Sequence, residues 1–242
     1  MVWGTFGITH IVSLLLVPVI LVGLYQILKR LRGKAQDIAL LCLSLLGIAA
    51  ILYNLLMWGS PWEYLPLHLC SLNALLLPIV VISKRKGLGS LLLLWAFGAI
   101  FGLILNYAMA ECELLSWTFF FYYFPHVLYF GLPILLWKLG RIEVSAKQIP
   151  MTIGVMMAAY TLIHFVNVAI NNAALTNSAG EVIQVNYMFS VTPDNPVLAL
   201  FWKVIPYPYW YMYMVVPVIA LYLFALCGIG RLAKKRKEKR AS

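Results

Sequence analysis

Residues 6–28 read FGITHIVSLLLVPVILVGLYQIL, a run without a single charged side chain. An apolar run of about 17 to 25 residues is long enough to cross the hydrocarbon core of a bilayer as a helix. Six further runs follow, so the sequence predicts about seven membrane-spanning helices. We place them at about 6–28, 37–58, 66–82, 88–109, 118–137, 149–171 and 207–228, of which 66–82 is the shortest.

The composition of the whole chain agrees with this prediction. Of its 242 residues, 63% are hydrophobic and 11% are charged, whereas about 25% of the residues in a soluble domain are charged. The mean hydropathy is +0.90. These values exclude the class of soluble domains. We expect an all-α polytopic membrane protein, with a single bundle of about seven transmembrane helices over 1–230 and a basic cytoplasmic tail over 231–242.

The basic residues indicate how the bundle is oriented. The net charge is +10, and nearly all Lys and Arg side chains fall in alternate connections between the predicted spans and in the tail RLAKKRKEKR. This asymmetry predicts an outside N-terminus and a cytoplasmic C-terminus. It also argues against nucleic acid as a partner. The first span lacks a basic segment before it and an A-x-A-like cleavage site, so we expect it to remain in the mature, multi-pass protein of the plasma membrane.

The longest outer connection, about 172–206, is the one segment large enough to act as a lid. Within it, NSAGEVIQVNYMFS places a glycine before alternating apolar residues, which is a weak hairpin signal. We therefore expect this connection to cover whatever site the outer half of the bundle contains.

Strong hydrogen-bonding side chains gather in the outer halves of the predicted spans. A polar group in hydrocarbon costs several kcal/mol if it has no partner, so these groups should face the interior of the bundle. One alternative is that each histidine only bonds to a neighbouring helix. The candidates for lining a cavity or contacting a substrate are His10, His68, His126, His164, Asn54, Asn106, Tyr107, Asn167 and Asn171.

Cys70 is the candidate nucleophile. Pro66 lies where a first helical residue would lie, so Cys70 is expected within about one turn of a helix N-terminus, where the dipole favours a thiolate. His68 is two residues away, about 200° around a helix, and is a poor partner for the thiol. Asn73 shares the face of Cys70 and is a candidate oxyanion donor.

The base must then come from another helix, and His126 is the strongest candidate because Pro125 and Pro133 bend its span around a predicted cavity. His10, His68 and His164 would act around this pair. Two other classes of function stay open. The histidines, with Glu111 or Glu113, could form a metal site of a membrane hydrolase, although no HExxH spacing supports it. The polar residues could also hold a ligand in a non-enzymatic binder, transporter or sensor.

The segment LPLHLCSLNALLLP at 65–78 resembles the YwaF family of bacterial integral membrane proteins, whose animal relatives are the transmembrane protein 164 acyltransferases. FGITHIVSLLL near the start and NYMFSVTPDNP followed by PYPYWYMY near the end agree with it. The resemblance implies a cysteine-dependent acyltransferase acting on membrane glycerophospholipids, with Cys70 as nucleophile and His126 as base. We therefore expect an acyltransferase or acyl hydrolase working near the outer leaflet, without a metal or other cofactor.

Overall fold

The structure, a computed structural model, describes residues 1–241, and it is helical over most of that range. Within the described residues there is no β-strand, and only Val2 with Glu113 and Thr176 with Val182 form isolated β-bridges. The hairpin signal therefore yields a single bridge around Gly180, whose φ is +80°. The α-helices are α1 Ile8–Arg30, α2 Gly33–Met57, α3 Leu69–Ser83, α4 Gly89–Ile104, α5 Trp117–Lys138, α6 Ile149–Asn172, α7 Pro196–Val204 and α8 Val215–Ala241.

Six segments of the described chain are helical, long and apolar enough to cross a membrane, and they contain α1, α2, α4, α5, α6 and most of α8. The prediction of an all-α polytopic membrane protein is therefore confirmed. α3 has only 15 residues, which at 1.5 Å per residue gives about 22 Å, less than the hydrocarbon core of about 30 Å. The seventh span thus stays a prediction.

Two predicted boundaries differ from the structure by several residues. α4 ends at Ile104, five residues before the predicted end, and is followed by a short 3-10 turn at Tyr107–Met109. α8 begins at Val215, after a 3-10 turn at Trp210–Met214. Pro206 and Pro208 cannot donate the backbone bonds of a helix, and Tyr209 has a φ of +66°. The aromatic segment before α8 therefore leads into the helix without belonging to it. Most of the predicted tail continues α8, and Ser242 lies outside the described residues.

An ionic cluster defines one end of the bundle, which we call the basic end. Asp37, near the start of α2, pairs with Lys84 at 2.7 Å and with Arg141 at 2.8 Å. Lys84 follows the end of α3, and Arg141 follows the end of α5. α3 and α5 therefore both run towards the basic end, and α2 runs away from it.

The opposite end, which we call the loop end, carries the longer connections. The N-terminal segment lies against the connection between α4 and α5, where Trp3 N–H donates to the Cys112 carbonyl at 2.9 Å. Trp3 is fully buried there. The connection between α6 and α7 also packs at this end, because Ser178 N–H donates to the Gly59 carbonyl at 3.2 Å.

α4 and α5 form the centre of the protein. The most apolar window of α5 is 67% buried inside the molecule, whereas that of α1 is 17% buried. The main core cluster includes Ala74 and Leu77 of α3, Leu92 of α4 and Leu132 of α5. A side chain on the facing surfaces of α3, α4 and α5 is thus held by the most enclosed part of the fold.

Candidate functional site

The N-terminus of α3 positions Cys70. The helix begins at Leu69, with His68 in extended conformation before it, so Cys70 is the second helical residue. The expected place in the first turn is confirmed, although Pro66 lies outside the helix. The first intrahelical bond of this turn runs from Leu72 N–H to the His68 carbonyl, which leaves the backbone N–H groups of residues 69–71 without intrahelical acceptors. The thiol is half-buried beside the amides of Cys70 and Ser71.

A contact between α3 and α5 places Cys70 and His126 at the same level. Tyr129 lies four residues before Pro133, which has no N–H, so the Tyr129 carbonyl lacks its usual helical donor. Asn73 Nδ2 donates to that carbonyl at 2.7 Å. Cys70 lies three residues before Asn73, and His126 lies three residues before Tyr129. Because α3 and α5 run in the same direction, both side chains lie about 4.5 Å from this contact towards the loop end.

His126 is fixed by its own helix and by α4. Its Nδ1 lies 2.7 Å from the Tyr122 carbonyl, and a carbonyl only accepts, so Nδ1 carries the proton. Nε2 of the neutral ring then has a free lone pair, as a general base requires. The Tyr122 ring stacks on the imidazole with centroids 4.1 Å apart. The edge of the ring faces Gly102, where an added Cβ would lie 3.4 Å from Nε2.

Cys70 and His126 share a region without being bonded. The thiol lies close enough to Tyr64 and Tyr122 to interact electrostatically with them, and His126 interacts in the same way with His68. Among the described residues no hydrogen bond joins the thiol to the imidazole, whose Nδ1 bond goes to Tyr122. Nucleophile and base are often loosely aligned before substrate binds. The catalytic roles of the two residues stay a prediction.

His68 contacts the long connection instead of the thiol. Its Nδ1 accepts from the Met188 N–H at 3.3 Å, and its ring packs against Tyr187 and Phe189 with centroids 5.5 and 5.6 Å apart. We call residues 186–190 the cover segment. Met188 and Phe189 have φ angles of 53° and 56°, a conformation that is unfavourable for side chains other than glycine. The cover segment is therefore held in shape by its partners.

Tyr187 provides one of these fastenings. Burial raises the pKa of its phenol, so the hydroxyl stays protonated. It donates to the Trp62 carbonyl and accepts from the Leu65 N–H at 2.9 Å. The cover segment is thus tied to the stretch that leads into α3.

His164 and Asn167 of α6 provide the other fastening. Asn167 Nδ2 donates to the Tyr187 carbonyl and to the Ser190 hydroxyl, both at 2.8 Å, and its Oδ1 accepts from the Tyr187 N–H at 3.0 Å. His164 Nδ1 lies 3.0 Å from the Ser190 hydroxyl. Ser190 and Asn167 are fully buried. We call these four residues the α6 cluster.

The other predicted residues also bond to backbone instead of meeting in one cavity. His10 accepts from the Phe6 N–H at 2.9 Å and donates through Nε2 to the Leu103 carbonyl at 2.8 Å. Tyr107 is 43% exposed. The partners of the asparagine amides are Ala50 for Asn54, Gly4 for Asn106 and Val185 for Asn171. Their role in lining a cavity stays a prediction.

The histidines are likewise not gathered around one point. Among the described residues there is no group of three or more His, Cys, Asp and Glu side chains that would hold a metal ion. The donor set that a zinc hydrolase needs is thus missing from the described part of the chain.

Two features of the site were not predicted from the sequence. They are the tyrosines near the Cys70 thiol and the glycine Gly102 beside His126. Tyr122 and Tyr129 lie in a helix with many aromatic residues, and nothing in their spacing distinguishes them from the others. Gly102 is one of 16 glycines. Its function depends on the ring that α5 brings next to it, so the sequence carries no signal for it.

One protein-family model, described as the TMEM164 family, matches residues 5–226 of this chain. The match covers all of the candidate site residues, from His10 to Ser190. It does not distinguish the bacterial YwaF branch, which stays a prediction. No curated protein and no solved structure is similar enough to match.

Proposed function

We propose that this chain, which belongs to the TMEM164 family, is a membrane-embedded enzyme that transfers or hydrolyses the acyl groups of phospholipids. The observation that carries the proposal is the Asn73 to Tyr129 contact, which holds Cys70 and His126 at one level on parallel helices. A thiol at a helix N-terminus and a neutral imidazole with a free Nε2 are the groups that acyl transfer requires.

The reaction has two half-reactions. His126 takes the thiol proton, and the Cys70 sulfur attacks the carbonyl carbon of a lipid ester. The C–S bond forms, the bond to the glycerol oxygen breaks, and that oxygen leaves with the proton from His126. His126 then takes a proton from an acceptor hydroxyl or from water, whose oxygen attacks the thioester and releases the Cys70 thiolate, which regains the proton.

The oxyanion needs donors, and the structure offers a set that the sequence did not predict. One N–H of Asn73 is used by the Tyr129 carbonyl, which leaves the other for a ligand. The backbone N–H groups of Cys70 and Ser71, which have no acceptor within the helix, lie beside the thiol and bond to its sulfur in the resting protein. Backbone amides at a helix N-terminus stabilise developing negative charge. We assign them the main part of this role and Asn73 a smaller one.

The cover segment acts as the lid of this site. It packs on His68, two residues from the nucleophile, and it is tied to the stretch before α3 through Tyr187. Exclusion of water would favour transfer to a lipid acceptor over hydrolysis. The lid predicted over 172–206 is thus narrowed to residues 186–190.

The test is an assay of purified protein in liposomes that contain a phospholipid with a labelled acyl chain and a lysophospholipid acceptor. We expect the parent protein to move label to the acceptor and Cys70→Ala and His126→Gln to lose this activity. Cys42→Ala and Cys112→Ala are matched controls, because Cys42 is exposed and Cys112 lies in the connection before α5. The thioester should be released by hydroxylamine. Parent-like activity of Cys70→Ala would overturn the assignment of the nucleophile.

A second candidate function is binding of a lipid without chemistry. The observation that favours it is an apolar groove of about 320 Å³ between α1, α4 and α5. The residues that line it are Leu14, Val17, Pro18, Leu21, Ile100, Ile104 and Phe130. Lipid that co-purifies with the parent and with Cys70→Ala alike, while neither protein moves label, would favour the binder over the enzyme.

A further inference from the structure

The last carbonyl groups of α4 accept hydrogen bonds from side chains of α1 and α5. The last carbonyls of a helix have no intrahelical donors, and α4 ends at Ile104. The Leu103 carbonyl accepts from His10 Nε2 at 2.8 Å. The Gly102 carbonyl accepts from the Tyr122 hydroxyl at 2.9 Å. Tyr122 thereby fixes α5 against this end of α4.

The same tyrosine holds the predicted base at two further points. Its backbone carbonyl binds His126 Nδ1 at 2.7 Å, and its ring stacks on the imidazole at 4.1 Å. In many hydrolases a carboxylate occupies the position beside Nδ1 and sets the tautomer. Here a backbone carbonyl does so, and the phenol that belongs to the same residue anchors it.

Gly102 also helps to position His126, because its missing side chain leaves space for the imidazole. A Cβ there would lie 3.2 Å from His126 Cδ2, 3.4 Å from Nε2 and 3.4 Å from the Tyr122 hydroxyl oxygen. Contacts near 3.2 Å are tighter than ordinary van der Waals contact, so the imidazole would have to move. The end of α4 also carries partial negative charge, which favours a ring that takes up a proton during the reaction.

We propose that Tyr122 and Gly102 are the positioning residues of His126: the Tyr122 carbonyl fixes the Nδ1–H tautomer, and Gly102 leaves the space that the Nε2 edge of the imidazole occupies. This inference rests on the proposed function for its catalytic meaning. The tautomer and the ring position are properties of the resting protein and are measurable without substrate.

The first experiment is ¹⁵N NMR of histidine-labelled full-length protein in nanodiscs, with the His126 signals assigned by their loss in His126→Gln. We expect the parent ring to be protonated at Nδ1 and unprotonated at Nε2. Tyr122→Phe keeps the stacked ring and removes the anchor to Gly102, and Gly102→Ala crowds the imidazole, so each should shift the Nε2 signal. Gly23→Ala is the control, because an added Cβ there has no atom within 4 Å. A parent ring protonated at Nε2, or unchanged signals in both variants, would overturn the proposal.

The second experiment measures kcat and KM in the liposome assay. We expect Gly102→Ala to lower kcat by about fivefold with little change in KM, since the imidazole must give by a few tenths of an ångström and a displacement of about 1 Å costs about 100-fold. Tyr122→Phe should lower kcat by about tenfold, the effect of one hydrogen bond. Parent-like kcat in both variants of an active enzyme would overturn the positioning role while leaving the proposed function intact. Shifted NMR signals in a protein without any activity would instead support the positioning of His126 by Tyr122 and Gly102 and would reject the proposed function.

Discussion

The α6 cluster and the surroundings of Cys70 both bring polar side chains into the loop-end half of the bundle, yet they differ in how completely those side chains are paired. In the α6 cluster, Asn167 uses both its oxygen and its nitrogen. Ser190 bonds with Asn167 and with His164. All N–H and O–H donors of Asn167 and Ser190 are thus paired, and within the described chain only His164 Nε2 of this cluster makes no hydrogen bond, so the cluster mainly builds structure.

The surroundings of Cys70 are incompletely paired. Within the described chain His126 Nε2 makes no hydrogen bond, the thiol bonds only to Ser71 and to the backbone amides at the start of its own helix, and Asn73 Oδ1 is buried without a partner. Unpaired buried polar groups in a native protein require an explanation, and a binding or catalytic role is one. The difference teaches that pairing, rather than the number of polar residues, distinguishes a site from a scaffold.

The largest expected effect is the loss of acyl transfer when Cys70, in the incompletely paired region, is replaced. Cys70→Ala should lower acyl transfer at least about a thousandfold, as loss of a nucleophile does. It should lower the free energy of unfolding by no more than about 1 kcal/mol, because the thiol bonds to no other element. Transfer of labelled acyl chains and thermal unfolding in detergent measure the two quantities. A variant that unfolds much more easily would make Cys70 part of the scaffold.

The reverse pattern is expected for the α6 cluster. Asn167→Ala removes the acceptor of the Tyr187 N–H, and it removes one of the two partners of both the Tyr187 carbonyl and the Ser190 hydroxyl. The free energy of unfolding should therefore fall by about 3 kcal/mol. Asn54→Ala is the matched control, because its amide bonds to Ala50 within the same helix, and it should cost less than about 1 kcal/mol. Equal losses in thermal unfolding of the two variants would break the comparison.

His68 lies between the two regions and tests the lid. His68→Leu removes the bond to the Met188 N–H, worth about 1 kcal/mol. In a protein whose only cysteine is Cys70, labelling of the thiol by a maleimide should therefore be about fivefold faster. Leu75→Ala is the control, because Leu75 lies on α3 and its side chain is exposed. An unchanged labelling rate in His68→Leu would mean that the cover segment does not control access to Cys70.

The smallest effect is expected at the basic end. Asp37→Asn weakens the pairs with Lys84 and Arg141, in which the Lys84 side chain is 60% exposed. Exposed pairs contribute about 0 to 1 kcal/mol, so thermal unfolding should change by less than 1 kcal/mol and acyl transfer should stay at the parent level. A loss as large as that of Asn167→Ala would show that charged contacts outweigh buried polar pairing in this fold.

The sequence was sufficient to predict the membrane-spanning helices, but it was insufficient to predict which side chains contact each other between them. Apolar runs predict spans because hydrocarbon demands them, and this holds for α1, α5 and α6. Pro133 predicts that the Tyr129 carbonyl is freed, but that Asn73 fills it depends on how α3 packs against α5. His68 read as a neighbour of Cys70, whereas its partner Met188 is 120 residues away.

Cys70 and His126 could be proposed as a pair from the sequence. A regular helix through both residues would place His68 away from Cys70, which directs attention to another span, and the family resemblance names His126. In the structure His68 precedes the helix in extended conformation and bonds to Met188 instead. What the sequence does not contain is the resting separation of the two groups, because that depends on side-chain rotamers and on Gly102, which presents no side chain at all.

The shortness of α3 has a consequence for the lipid itself. Its 15 residues span about 8 Å less than a hydrocarbon core of about 30 Å, so if its last turn reaches one border of the core, the thiol in its first turn lies below the other border. The ester carbonyls of a phospholipid lie at the border between hydrocarbon and headgroups, so a donor must be drawn downward or the leaflet must thin locally to meet the sulfur. Bilayer thickness should therefore affect the rate of acyl transfer. We expect acyl transfer to be faster in liposomes of short-chain lipids than in liposomes of long-chain lipids at equal surface concentration.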